Sequence, residues 1–138
     1  MANLIDSSVW VALFLDFDAQ HRKAKRTLQT ISDIIYTPYC VIAEVVTVLA
    51  YKHSKHAADN FITYIRDNKD IRIINDDAFD EMDFYTTLPH KISFTDAALL
   101  FLSSTRNANL ITFDTQLARI AKKTVHAHTA TANEKHNK

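Results

Sequence analysis

Asp6, Glu44, Asp96 and Asp114 are the side chains of this sequence best suited to do chemistry together. Asp6 closes the short run Ala2–Ile5, Glu44 is the only charge between Tyr39 and Tyr51, Asp96 opens Ala97–Leu102, and Asp114 follows Leu110–Phe113. Each therefore stands beside apolar sequence instead of in a solvated, charged stretch. Ionised carboxylates gathered in a low-dielectric pocket repel one another and lose hydration, so they persist only if protonated, hydrogen-bonded or joined by a cation. A ligand set made of oxygen alone favours Mg²⁺ or Mn²⁺ over zinc.

Each aspartate also has a plainer explanation. Asp between a strand and a helix is a preferred N-cap, which suits Asp6 and Asp114, and an acid in a first helical turn is favoured by the helix dipole, which suits Asp96. Glu44 has no such alternative. Its neighbours one helical turn away are Cys40, Val41, Thr47 and Val48, which leads to the expectation of a buried glutamate with no Arg or Lys partner, costing several kcal/mol if left unpaired.

The elements that must position these acids follow from the apolar pattern. Leu4-Ile5 reads as a short buried strand ending at Asp6, with a helix from Ser7 or Ser8 carrying Val9, Trp10, Leu13 and Phe14. A helix over Ala19–Ile31, a strand at Ile34–Tyr36, and a helix from Tyr39 to about Lys52 come next. Thr37-Pro38 is expected to open that helix, Thr as cap and Pro in the first turn. Helices over Ser54–Arg66 and Asp76–Leu88 flank a strand at Ile71–Ile74. Ser93 stands three residues ahead of Asp96, as in a capping box, at the start of an apolar helix over Thr95–Arg106. Asn109–Thr112 is a fourth strand, Asp114–Lys122 a short helix, and Thr124–His128 an edge strand.

Apolar strands alternating with helices predict a three-layer α/β/α sandwich around a mostly parallel sheet. One domain over residues 1–128 with a flexible tail over 129–138 is expected. In such folds ligands bind beyond the carboxyl ends of the strands, where Asp6 and Asp114 fall.

Composition narrows the function. The chain has 138 residues and no glycine, which excludes phosphate-binding loops of the Walker type and dinucleotide fingerprints, since both need glycine for close backbone approach. Turns then fall to Asn, Asp, Ser, Thr and Pro, with Asn107-Ala108-Asn109 expected to make a helix-to-strand connection. The single cysteine, Cys40, has no partner within the chain and reads as a small core residue in a reducing compartment. No run approaches membrane-spanning length, so a cytoplasmic location and no membrane partner are expected. Acidic and basic residues balance at 16 each, yet the basic ones cluster at 21–26, at 52–56 and around Arg119 and Lys122. Such clusters are ordinarily solvated helix faces, but beside an acidic metal site they can hold phosphates. His53 and His56 lie one turn apart, a spacing too common to indicate zinc by itself.

The segment Leu4–Phe14, the lone Glu44 in an apolar helix, Ser93-Phe94-Thr95-Asp96-Ala97 and Leu110-Ile111-Thr112-Phe113-Asp114 together resemble the successive motifs of PIN-domain ribonucleases. In length the chain is similar to the single-domain bacterial toxins of the VapC type. The resemblance implies a metal-dependent endoribonuclease, with Mg²⁺ or Mn²⁺ held by Asp6, Glu44, Asp96 and Asp114 and with Ser8 and Thr112 as supporting hydroxyls. It further implies an RNA substrate, a cognate VapB-like antitoxin and a homodimer. Arg22, Lys25 and Arg26, or Lys52 and Lys55, supply the positive charge expected along the RNA path. Family members usually carry glycine near Lys91 and Asn107–Asn109 and an arginine near Leu88–Lys91, where this chain has His90 and Lys91. The alternative is a PIN-fold protein-binding module without catalysis.

Overall fold

In a computed structural model of the chain, residues 1–123 are described. The edge strand expected at Thr124–His128 and the tail after it lie outside the described residues. Four short strands, β1 (Asn3–Ile5), β2 (Ile35–Pro38), β3 (Ile71–Ile74) and β4 (Asn109–Ile111), form one sheet in the order β3-β2-β1-β4 with every pairing parallel. The connections are helical: α1 (Ser7–Phe14), α2 (His21–Gln29), α3 (Tyr39–Lys52), α4 (Lys55–Asp67), α5 (Ala78–Thr87) and α6 (Phe94–Thr105), followed by helical residues 115–123.

Topology divides the helices into two layers. The chain steps outward from β1 to β2 to β3 and then returns across the sheet to β4. Right-handed crossovers therefore place α1–α4 on one face and α5–α6 on the other. The packing agrees: α1 lies on α2 and α3, and α3 on α4, whereas α5 lies on α6. The return leaves β1 and β4 as neighbours at the point where strand order reverses, the place where open α/β sheets bind ligands.

The core between these layers is aliphatic and aromatic. Leu4 and Ile5 of β1, Val41, Val45 and Leu49 of α3, and Leu99, Leu100 and Leu102 of α6 are buried in it. Trp10, fully buried, meets Phe61 edge-on at 5.7 Å, and Phe14 meets the same ring at 5.4 Å. These rings are packing residues. Among the described residues no helix is long and apolar enough to cross a membrane.

Two local details depart from, or sharpen, the sequence reading. Thr37 and Pro38 do not open α3 as a cap and first turn. Both belong to β2, whose register runs on to Pro38 opposite Ile74, and Pro38 occupies the cap position with extended backbone and no side-chain cap. Proline's fixed φ suits either role, and strand pairing prevails. At the other end of the fold, Asn107 takes the left-handed conformation at φ 49°. The Ala108 N–H donates to the Ser103 carbonyl at 3.0 Å and the Asn107 N–H to that of Ser104 at 3.4 Å, a Schellman closure of α6. In a chain without glycine, Asn fills the position glycine usually takes. Asn107→Ala should cost about 1 kcal/mol in a urea melt and Asn107→Gly should not destabilise, because only the former adds strain at positive φ.

Candidate metal and hydrolytic site

Asp6 sits where β1 ends and α1 begins. Its backbone N–H continues the β1–β4 ladder by donating to the Ile111 carbonyl at 2.9 Å, so its position is set by the sheet. Oδ1 accepts from the Ser7 N–H at 2.7 Å and from Ser7 Oγ at 3.2 Å, while Oδ2 accepts from Ser8 Oγ at 2.9 Å and from Thr112 Oγ1 at 2.7 Å. The same two hydroxyls also take backbone donors from the loop after β4: Phe113 N–H to Ser8 Oγ at 3.1 Å and Asp114 N–H to Thr112 Oγ1 at 3.0 Å. Ser8 and Thr112 thus fasten the β1 and β4 loops together through the Asp6 carboxylate.

The four acids named from the sequence line one pocket of about 630 Å³, together with Ser7, Ser8, Asp18, Gln20, Lys52, Ser93 and Phe113 among others. Asp6 is 3% exposed and Asp96 is half-buried. Glu44 and Asp114, by contrast, are solvent-exposed, which corrects the expectation of a buried Glu44. The inward stripe of α3 is Val41, Val45 and Leu49, and Glu44 falls on the flank that faces the open pocket, where it keeps its hydration. The cost of burial therefore makes no case for a cation at Glu44. At Asp96 burial and like charge act together: burial first, then the charges of Asp6 and Asp114 and, more weakly, Glu44, push its carboxyl up to about 6 against a hydrogen bond from Ser93.

The capping explanations hold alongside this convergence. Asp114 Oδ1 accepts from the Gln116 and Leu117 N–H groups at 2.9 and 3.1 Å, and Ser93 Oγ caps α6 by accepting from the Asp96 N–H at 3.0 Å. Both aspartates nonetheless border the same pocket, which capping alone does not require.

The donor set fits a hard divalent ion. It is oxygen only, in an open pocket, and Mg²⁺ binds through one or two carboxylates while keeping several waters. Among the described residues no group of three or more acidic, histidine or cysteine side chains is drawn together closely enough to hold a metal ion, so an ion here would rest on one or two carboxylates and water. On Asp6, the Ser7 Oγ contact at 3.2 Å is the longest of the four.

The basic residues divide. Lys52 lines the pocket, whereas exposed Lys55 is paired with Asp59 one turn along α4. Arg22, Lys25 and Arg26 are exposed on α2. Two pocket features were missed in the sequence. Asp18 lines the pocket from the α1–α2 loop, signalled only by the acids Asp16 and Asp18 flanking Phe17. Lys23 lies over the Phe113 ring, on the side of α2 nearly opposite Lys25 and one turn before Arg26. Among the described residues the histidines form no second centre: His21, His53 and His56 line a separate pocket with Asp16, but His21 Nδ1 bonds the Ala12 carbonyl at 2.9 Å. Cys40 is half-buried, and burial together with the charge of Glu81 pushes its thiol up to about 11, so it stays protonated and acts as a small packing residue.

A stability test follows from Asp96. Its folded pKa is raised, so the native state holds the proton longer than the unfolded chain, and stability of the metal-free protein falls as pH rises from about 4 to about 6. Asp96→Asn, melted in chelator, should therefore raise Tm at pH 7.5, and the gain should disappear by pH 4. An equal gain at both pH values would locate the effect elsewhere than in this carboxylate.

The profile of the PIN domain matches residues 4–123 of the chain. Among solved structures the fold is similar to that of VapC20 from Mycobacterium tuberculosis, described as a toxin that cleaves the sarcin-ricin loop. The TM-score is 0.77 at 23% identity, over 87% of this chain and 95% of that one. No curated protein matches the chain. The family profile spans β1 through the last described helix, including all the acids of the pocket, and the chain belongs to the PIN-domain family.

Proposed function

We propose that the protein is a Mg²⁺- or Mn²⁺-dependent endoribonuclease and the toxin of a toxin–antitoxin pair. The observation that carries this reading is the convergence of Asp6, Glu44, Asp96 and Asp114 on one pocket at the carboxyl ends of β1 and β4. VapC20, similar in fold, is described as a toxin that cleaves the sarcin-ricin loop, which supports RNA as the substrate class.

A bound divalent ion supplies a water of lowered pKa and neutralises charge developing on the scissile phosphate. Asp6 and Asp96 are the residues to hold it, because one is locked by four hydrogen bonds and the other gains most from a neighbouring positive charge. Asp114 and Glu44, on the exposed rim, would help to hold the ion or orient the attacking water. Ser8 and Thr112 keep the Asp6 carboxylate from turning. No protein nucleophile is required, and hydrolysis breaks the P–O3′ bond to leave a 5′-phosphate and a 3′-hydroxyl. Lys52 at the pocket wall, with Arg22, Lys25, Arg26 and Lys55 further out, offers positive charge to the strand. The antitoxin and a homodimer complete the proposal as partners, and the antitoxin is expected to place a basic side chain toward the acids.

The test is incubation of the purified protein with single-stranded RNA and Mn²⁺, with and without chelator, mapping new 5′ ends. Cleavage should require the ion and collapse in Asp6→Asn and in Asp96→Asn, although Asn preserves helix capping to within a few tenths of a kcal/mol. Mn²⁺ should raise the Tm of the parent protein by mass action and raise that of the variants less. Full cleavage by both variants with an unchanged response to Mn²⁺ would make these acids structural and end the nuclease reading.

A further inference from the structure

Phe113 is the aromatic residue set among the acids. It stands between Thr112 and Asp114 and lines their pocket. Its N–H is held by Ser8 Oγ at 3.1 Å, so the hydrogen bonds that fix Asp6 also fix the backbone that carries this ring. The Lys23 ammonium lies 4.7 Å from the ring centroid. Lys23 is exposed, and among the described residues it makes no ion pair. An ammonium resting on an aromatic face is oriented while keeping its charge and its donors available, unlike an ion-paired lysine such as Lys55.

The electrostatics of the pocket give this arrangement a purpose. The described residues lining it include Asp6, Asp18, Glu44, Asp96 and Asp114 against one cation, Lys52 on α3. A polyanionic strand entering such a pocket is repelled unless further cations stand at the rim. Lys23 stands there on α2, beside a ring that lines the pocket. At 3.6 residues per turn, Lys25 lies about 160° away around the same helix, on the flank turned from Phe113.

We propose that Lys23 is a phosphate-binding residue of this site, taking a backbone phosphate of the RNA strand adjacent to the phosphodiester at the acids, and that Phe113 is its positioning residue. The assignment rests on the ribonuclease reading above. It predicts that one charge, delivered by one ring, contributes to strand binding and not to the metal centre.

The experiment measures binding of a fluorescent single-stranded RNA to the full chain in chelator across a salt series, Mn²⁺ affinity, and cleavage in Mn²⁺. Lys23→Gln should weaken RNA binding several-fold and lower the salt slope by about 0.7, one phosphate contact on a single strand. Its Mn²⁺ affinity should be unchanged, and its cleavage should show raised KM with near-normal kcat. Lys23→Arg should restore the slope, and Phe113→Leu should weaken binding with the charge still present. Wild-type affinity and slope in Lys23→Gln would overturn the assignment. Lys23-dependent RNA binding without cleavage would leave Lys23 in place and remove the nuclease reading, whereas no RNA binding by the parent chain would remove both.

Discussion

Mutual repulsion among carboxylates at the carboxyl ends of β1 and β4 is the constraint around which the local structure is arranged. Asp6, nearly inaccessible to solvent, meets it with hydrogen bonds: four donors hold its two oxygens. Two of those donors, Ser8 and Thr112, each accept a backbone N–H from the loop after β4, and their protons are thereby directed at the carboxylate. The result is a fixed acceptor of negative charge joining two loops that are over a hundred residues apart in sequence. Removing either hydroxyl would leave Asp6 Oδ2 with one donor instead of two and deprive a loop amide of its partner, at about 1–3 kcal/mol where that amide is not reached by water.

Topology supplies the other acids. Because the chain travels outward to β3 and returns to β4, the rim of the β1–β4 junction is reached from both helical layers. Glu44 arrives on α3 from one face and Asp96 on α6 from the other. Asp114 arrives at the head of the last described helix, which it caps with one oxygen. Asp96 bears the cost, its carboxyl pushed up to about 6, because it is partly buried with charge on several sides. A divalent ion bound there would relieve that cost, which is the physical link between the fold and the proposed hydrolysis.

The architecture was legible in the sequence because short apolar strands and periodic helices alternate without ambiguity. The helix cap Ser93 and the left-handed Asn107 follow from side-chain chemistry that acts over a few residues. The misreadings share a cause. A helix apolar nearly all round, as α3 is, suggests a buried Glu44 but does not disclose which stripe faces the core; only packing selects Val41, Val45 and Leu49. Thr37-Pro38 suits a strand end as well as a helix start, and pairing with β3 decides. In the run 21–26, charge alone does not reveal that Lys23, and not its neighbours, meets Phe113. Burial at the site was thus the least legible feature, and the ordered set of acids the most.

The central claim is that these carboxylates form a divalent-cation site. Anomalous diffraction from crystals of the protein soaked in Mn²⁺ tests it most directly. The account predicts a manganese peak inside the pocket, within ligand distance of carboxylate oxygens of Asp6 and Asp96, with Ser8 and Thr112 still bonded to Asp6. A fully soaked crystal with no peak there, or with manganese at the histidine pocket of His21, His53 and His56 instead, would contradict it.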